Sequence, residues 1–142
     1  KTRLIAIHSL DFDQLMVARV AQKESGRRLV LIDDLGPDHP DLQKSDGAAT
    51  DGSLSQEYFA ELRLKLDQIE LLSGCSVDVA AHPRARPGVL EERYGFREIH
   101  YGETLKLIEQ SSLVLLVSFS TVAGMAVALR KPMMMPTTRG TT

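Results

Sequence analysis

Apolar residues in the second half of this chain gather in short continuous runs instead of alternating with polar ones. Leu29-Val30-Leu31-Ile32 follows Arg28, residues 77–81 are apolar apart from Asp78, and residues 113–117 and 133–135 are further runs. A strand reads this way when both of its faces are covered, because neither side of the pleat meets water. Residues 54–72 carry a different period. Tyr58, Phe59, Leu62, Leu66 and Ile69 recur at three- and four-residue steps, which predicts an amphipathic helix with Gly74 as its stop. Shorter helical stretches are predicted up to Tyr94, over 103–110 and over 121–130, with a short strand at 96–99.

Strands that alternate with helices of about ten residues imply βαβ units and a parallel sheet. The expected fold class is therefore α/β, a Rossmann-like parallel sheet with helices on both faces. Earlier in the chain, residues 3–8 read as a short strand and 13–22 as a helix, while 34–53 is a long segment rich in Gly, Pro, Asp and Ser. Residues 1–27 are expected to be a lead-in strand and helix between domains, and 28–142 a Rossmann-like domain. The chain opens at Lys1 and stops soon after the run at 133–135, which suggests a segment of a longer polypeptide.

Composition narrows the function classes. The chain has 142 residues, enough for one core, and 17 basic against 19 acidic residues give a net charge of -2. No block of like charges provides an arm for nucleic acid, so no nucleic-acid partner is expected. The lone Cys75 excludes an internal disulfide and a thiolate zinc cluster, and it fits a reducing, cytoplasmic setting. No apolar run reaches the roughly eighteen residues of a membrane-spanning helix.

Candidate chemistry sits where two of the strands end. Residues 77–81 run into His82-Pro83-Arg84, and residues 113–117 run into Ser118-Phe119-Ser120-Thr121 and a helix of small residues. Ligands of open parallel sheets bind outside the carboxyl ends of the strands, so these two loops are expected side by side at a phosphate-bearing ligand. Pro83 keeps His82 out of helical geometry, which holds its imidazole in an extended turn as a donor to a phosphate or leaving-group oxygen, the catalytic candidate. The plainer role is a local backbone contact. Arg84 offers a fork of donors to phosphate oxygens. Ser118, Ser120 and Thr121 precede a helix N-terminus, itself a ready anion site, although Ser and Thr also stand there as ordinary caps. Asp33 and Asp34 could act as a base or bind metal, yet Asp favours such strand-to-turn positions in any case. Asp38-His39-Pro40-Asp41 has no spacing typical of a metal site, Gly102 or Thr104 reads as a helix cap, and Met133-Met134-Met135 reads as a buried strand.

The order of these motifs resembles the C-terminal half of bacterial surface-polysaccharide glycosyltransferases of GT-B type, near the capsule polysialyltransferases and teichoic-acid polymerase relatives. The resemblance rests on the strand ending in Asp33-Asp34 with His39-Pro40-Asp41 after it, Val79-Ala80-Ala81-His82-Pro83-Arg84, Tyr101-Gly102-Glu103-Thr104, Ser120-Thr121 and Lys131-Pro132, in that order. It implies inverting, metal-independent transfer of a sugar from a CMP- or UDP-linked donor to a surface or capsular glycan. No cofactor beyond the nucleotide-sugar is implied. By position it makes His82, Ser120 and Thr121 donor-binding residues. Relatives often carry a His where this chain has Ser118. The family's acceptor domain lies N-terminal in the same chain, so the resemblance implies that the present residues bind donor and catalyse little alone, in the cytoplasm or at the inner face of the membrane as a peripheral protein.

Rival readings are a response-regulator receiver, a non-catalytic Rossmann-like interaction module and a sugar-nucleotide epimerase half. A receiver needs an Asp at the end of its central strand, where this chain has Ala81-His82.

Overall fold

The computed structural model describes residues 27–41 and 52–138. Within them, strands and helices alternate as β1 (Arg28–Ile32), α1 (Gly52–Ser73), β2 (Ser76–Ala80), α2 (Val89–Tyr94), β3 (Ile99–His100), α3 (Thr104–Gln110), β4 (Leu113–Leu116), α4 (Thr121–Ala128) and β5 (Met133–Met134). A 3-10 turn, Gly36–Asp38, follows β1. The strand expected at 3–8 and the helix at 13–22 lie outside the described residues.

All pairings are parallel, in the order β3-β2-β1-β4-β5. The period of two along β1 assigns the two faces. Leu29 and Leu31 pack with Phe59, Leu62 and Leu66 of α1 and with Leu90 and Tyr94 of α2. Val30 and Ile32 pack on the other side with Leu107 and Ile108 of α3 and with Ala126 and Leu129 around α4. The sheet is thus covered on both faces, as continuous apolar strands require. Leu31 is fully buried, and its truncation to Ala would cost about 2–5 kcal/mol.

Side chains fasten the helices at their ends. Gly74 takes φ 66°, a left-handed conformation that closes α1, and its N–H donates to Glu70 O at 2.9 Å. Buried Arg97 donates to Asp67 and Glu70 of α1, both at 2.6 Å, while the other oxygen of Glu70 accepts the Val77 N–H at 2.8 Å. One network therefore ties α1 to the start of β2 and to the approach to β3. Lys131 Nζ donates to the carbonyls of Glu109 and Ser111 at 2.7 and 2.8 Å, which satisfies the C-terminal end of α3. Burial pushes the Lys131 ammonium below its ordinary range.

Several expectations need correction. β3 is two residues at 99–100 and not 96–99, because Arg97 turns inward to its carboxylates. Glu103 occupies the N-cap of α3 without a side-chain cap bond, so neither Gly102 nor Thr104 caps it. Met133, Met134 and Met135 are about two-fifths exposed, since β5 stands at the edge of the sheet among the described residues. The His82 and Ser118–Thr121 loops are not side by side either. β1 lies between their strands, and its own end supplies the middle of the site.

Candidate functional site

The strand order reverses between β1 and β4, and a cleft of about 730 Å³ opens at the carboxyl ends there. Three loops line it: Asp33, Asp34, Gly36 and His39 after β1, His82 and Pro83 after β2, and Ser118 to Val122 after β4. Gly102, Thr104 and Leu105 close one side.

Asp33 is the strut of this arrangement. It is 2% exposed, and its carboxylate accepts the Tyr94 hydroxyl at 2.7 Å, the Leu35 N–H at 3.2 Å and the His82 N–H at 3.2 Å. Three donors compensate a buried charge. They also join the end of β1 to the His82 loop and to α2. Tyr94 lies beneath, its phenol pushed well above its ordinary range by burial and by the Asp33 carboxylate. Tyr58 is raised as well, by burial first and then by Asp34 and Asp33.

The chain leaves β1 through two left-handed residues, Leu35 at φ 66° and Gly36 at φ 51°. A Cβ on Gly36 would stand 2.6 Å from the Tyr58 ring, so both backbone and packing demand glycine here. Asp34 Oδ1 accepts the Gly36 N–H at 2.9 Å, a local turn bond, and Asp34 faces the cleft half-buried. Beyond the turn, Asp38 accepts from Arg93 and from the Ser55 hydroxyl, which anchors the segment to α2 and α1.

This path delivers His39 to His82. Their rings meet edge to face with centroids 5.5 Å apart. Each is held the same way: His82 Nδ1 accepts the Arg84 N–H at 3.1 Å, and His39 Nδ1 accepts the Asp41 N–H at 3.2 Å. A neutral imidazole whose Nδ1 accepts carries its proton on Nε2, so each ring offers an Nε2–H donor. His82 thus does make the local backbone contact, and that contact orients it.

On the far side, Ser120 holds the N-cap of α4 with extended φ and ψ of -131° and 172°, but its side chain makes no cap hydrogen bond. The Ala123 N–H donates to the Ser120 carbonyl at 3.0 Å, the first turn of α4 is not capped by the Ser120 hydroxyl, and the positive end of the helix dipole faces the cleft lip. Phe119 stands 83% exposed between Ser118 and Ser120.

His82, Ser118, Ser120 and Thr121 are brought together in the cleft lining; Arg84 is not, its guanidinium lying 3.8 Å from Asp41 on the surface. His39 enters the sequence reading only within the Asp38-His39-Pro40-Asp41 segment and is given no donor-binding role there. Its signal was present, since His39-Pro40 repeats the His82-Pro83 dipeptide one strand away. The arrangement can grip an anion between two imidazole donors and a helix start, with Asp34 available to a hydroxyl. No protein-family model, curated protein or solved structure matches this chain.

Proposed function

We propose that this chain is the donor-binding half of a glycosyltransferase, taking a nucleotide-sugar and passing the sugar to a surface or capsular glycan. The observation that carries this reading is the pairing of an oriented His82 with an α4 N-terminus that the Ser120 side chain leaves uncapped, in one cleft at the sheet's reversal point. A nucleoside phosphate places its charge where such donors lie.

In the transfer, an acceptor hydroxyl attacks the anomeric carbon and the bond to the phosphate oxygen breaks. Negative charge then grows on the departing nucleotide phosphate. Donors fixed in advance stabilise that charge without reorganising, and this reading gives that role to His82 Nε2–H and the α4 N-terminus. The hydroxyl's proton goes to a base, assigned in this reading to the acceptor domain N-terminal to these residues. The glycan acceptor and the inner face of the membrane as working place belong to the same reading.

Calorimetric titration with CMP, CDP and UDP tests it. One nucleotide binds, and His82→Ala weakens it by about ten- to a hundredfold, the worth of a hydrogen bond to a charged group. A folded chain that binds none of them counts against a donor clamp in these residues alone and favours a non-catalytic interaction module.

A further inference from the structure

Away from the cleft, Asp78, Glu98 and His100 converge at the β2–β3 edge, and their ligand atoms all lie within 4.8 Å of one another. Asp78 is 5% exposed although it sits mid-strand in β2, where an apolar residue would be expected. His100 Nε2 is shut off from solvent and has no hydrogen-bond partner among the described residues. It lies 4.0 Å from Asp78 Oδ2 and 4.0 Å from Glu98 Oε2. Its other nitrogen, Nδ1, is 3.6 Å from Glu103 Oε2.

A buried ring nitrogen aimed between two carboxylates, with a third carboxylate behind the opposite nitrogen, is how proteins arrange a histidine ligand for a metal. We propose that Asp78, Glu98 and His100 bind a divalent first-row transition ion such as Zn2+, with Glu103 fixing the imidazole from behind. One imidazole and two carboxylates suit such an ion, and a fourth position remains for water. Ligands at about 2.1 Å around a tetrahedral ion stand about 3.4 Å apart, so the two histidine–carboxylate separations of 4.0 Å shorten by about 0.6 Å, and any pair at the 4.8 Å limit by about 1.4 Å, when the ion binds. Glu98 supplies most of that movement because its side chain is 63% exposed, whereas Asp78 is fixed.

Arg28 is the ion's competitor. Its Nη1 lies 2.7 Å from Asp78 Oδ2 and 3.4 Å from Glu98 Oε2, so a guanidinium stands where the ion's charge would go. Arg28 begins β1 with a side chain 56% exposed, and it swings into solvent when the ion enters. The gain is structural. β3 is a two-residue edge strand, and the ion clips it to β2 directly behind the Gly102 to Leu105 wall of the cleft.

The test is calorimetric titration of the full chain with Zn2+, repeated with Co2+ to read ligand-field absorption. Wild type is expected to bind one ion at the site, Arg28→Ala at least tenfold more tightly, and Glu98→Gln and His100→Ala at least tenfold more weakly. His82→Ala, which alters the other histidine cluster, leaves binding unchanged. Glu98 is exposed, so its variant folds even if His100→Ala does not. No binding by the wild type, binding that survives both Glu98→Gln and His100→Ala, or binding lost with His82→Ala overturns the assignment.

Discussion

The Tyr94 hydroxyl donates to Asp33 Oδ1 at 2.7 Å, with both residues almost fully buried beneath the cleft. Through this bond the end of α2 fixes the carboxylate that also holds the His82 backbone. Tyr94→Phe removes one of three donors to a buried charge. The expected cost is about 1–3 kcal/mol at neutral pH, read by urea denaturation.

The same pair sets an alkaline limit. Burial and Asp33 raise the Tyr94 phenol above its ordinary 10.0, so the folded chain keeps a proton that the unfolded chain releases. The stabilisation is complete below pH 10 and is lost as pH rises beyond it, at up to about 1.4 kcal/mol per pH unit. Denaturation midpoints of wild type should fall more steeply between pH 10 and 11 than those of Tyr94→Phe. Equal slopes would show that Tyr94 does not carry this dependence.

Gly36→Ala combines a positive φ with a Cβ 2.6 Å from the Tyr58 ring. Strain and displacement together should cost about 1–3 kcal/mol. Because Gly36 leads to His39, nucleotide affinity falls as well. Thermal unfolding and calorimetry on one preparation read both effects.

Ser120 separates capping from ligand binding. Its side chain makes no cap bond, so Ser120→Ala should change stability by less than about 0.5 kcal/mol while weakening nucleotide binding. Ser120→Asp supplies the missing cap acceptor and should stabilise α4 by about 0.5–1 kcal/mol, while its carboxylate repels phosphate. Stability and affinity then move in opposite directions.

Lys131 provides the contrast of a motif residue with a purely structural task. Lys131→Met keeps the stem but leaves the Glu109 and Ser111 carbonyls without their ammonium, at a cost of about 1–3 kcal/mol. Nucleotide affinity is expected to be unchanged, which calorimetry checks.

Much of the fold was legible because both faces of the sheet are covered. A β-branched and leucine run such as Leu29 to Ile32 reads as an interior strand, and the three- and four-residue spacing of Phe59, Leu62 and Leu66 marked α1 together with its Gly74 stop. Edge elements were harder to read. Met133 and Met134 look like core residues by composition, and only the strand order shows them at a rim. His82 and Ser120 were legible as strand-end polar residues. The partnership of His39 with His82 was not, since it depends on β1 and β2 being neighbours and on a turn through Leu35 and Gly36 that periodicity does not register. Asp33 was readable as a turn residue, but its hold on Tyr94, 61 residues away, belongs to the tertiary fold.

Histidine-ring 15N NMR of the chain, with and without saturating nucleotide, tests the central claim most directly. His82 should carry its proton on Nε2 in the free protein, and the Nε2–H resonance should shift on addition of the nucleotide that binds, while the His100 ring stays unmoved. His82 resonances unchanged at saturation would contradict a donor clamp built on that side chain.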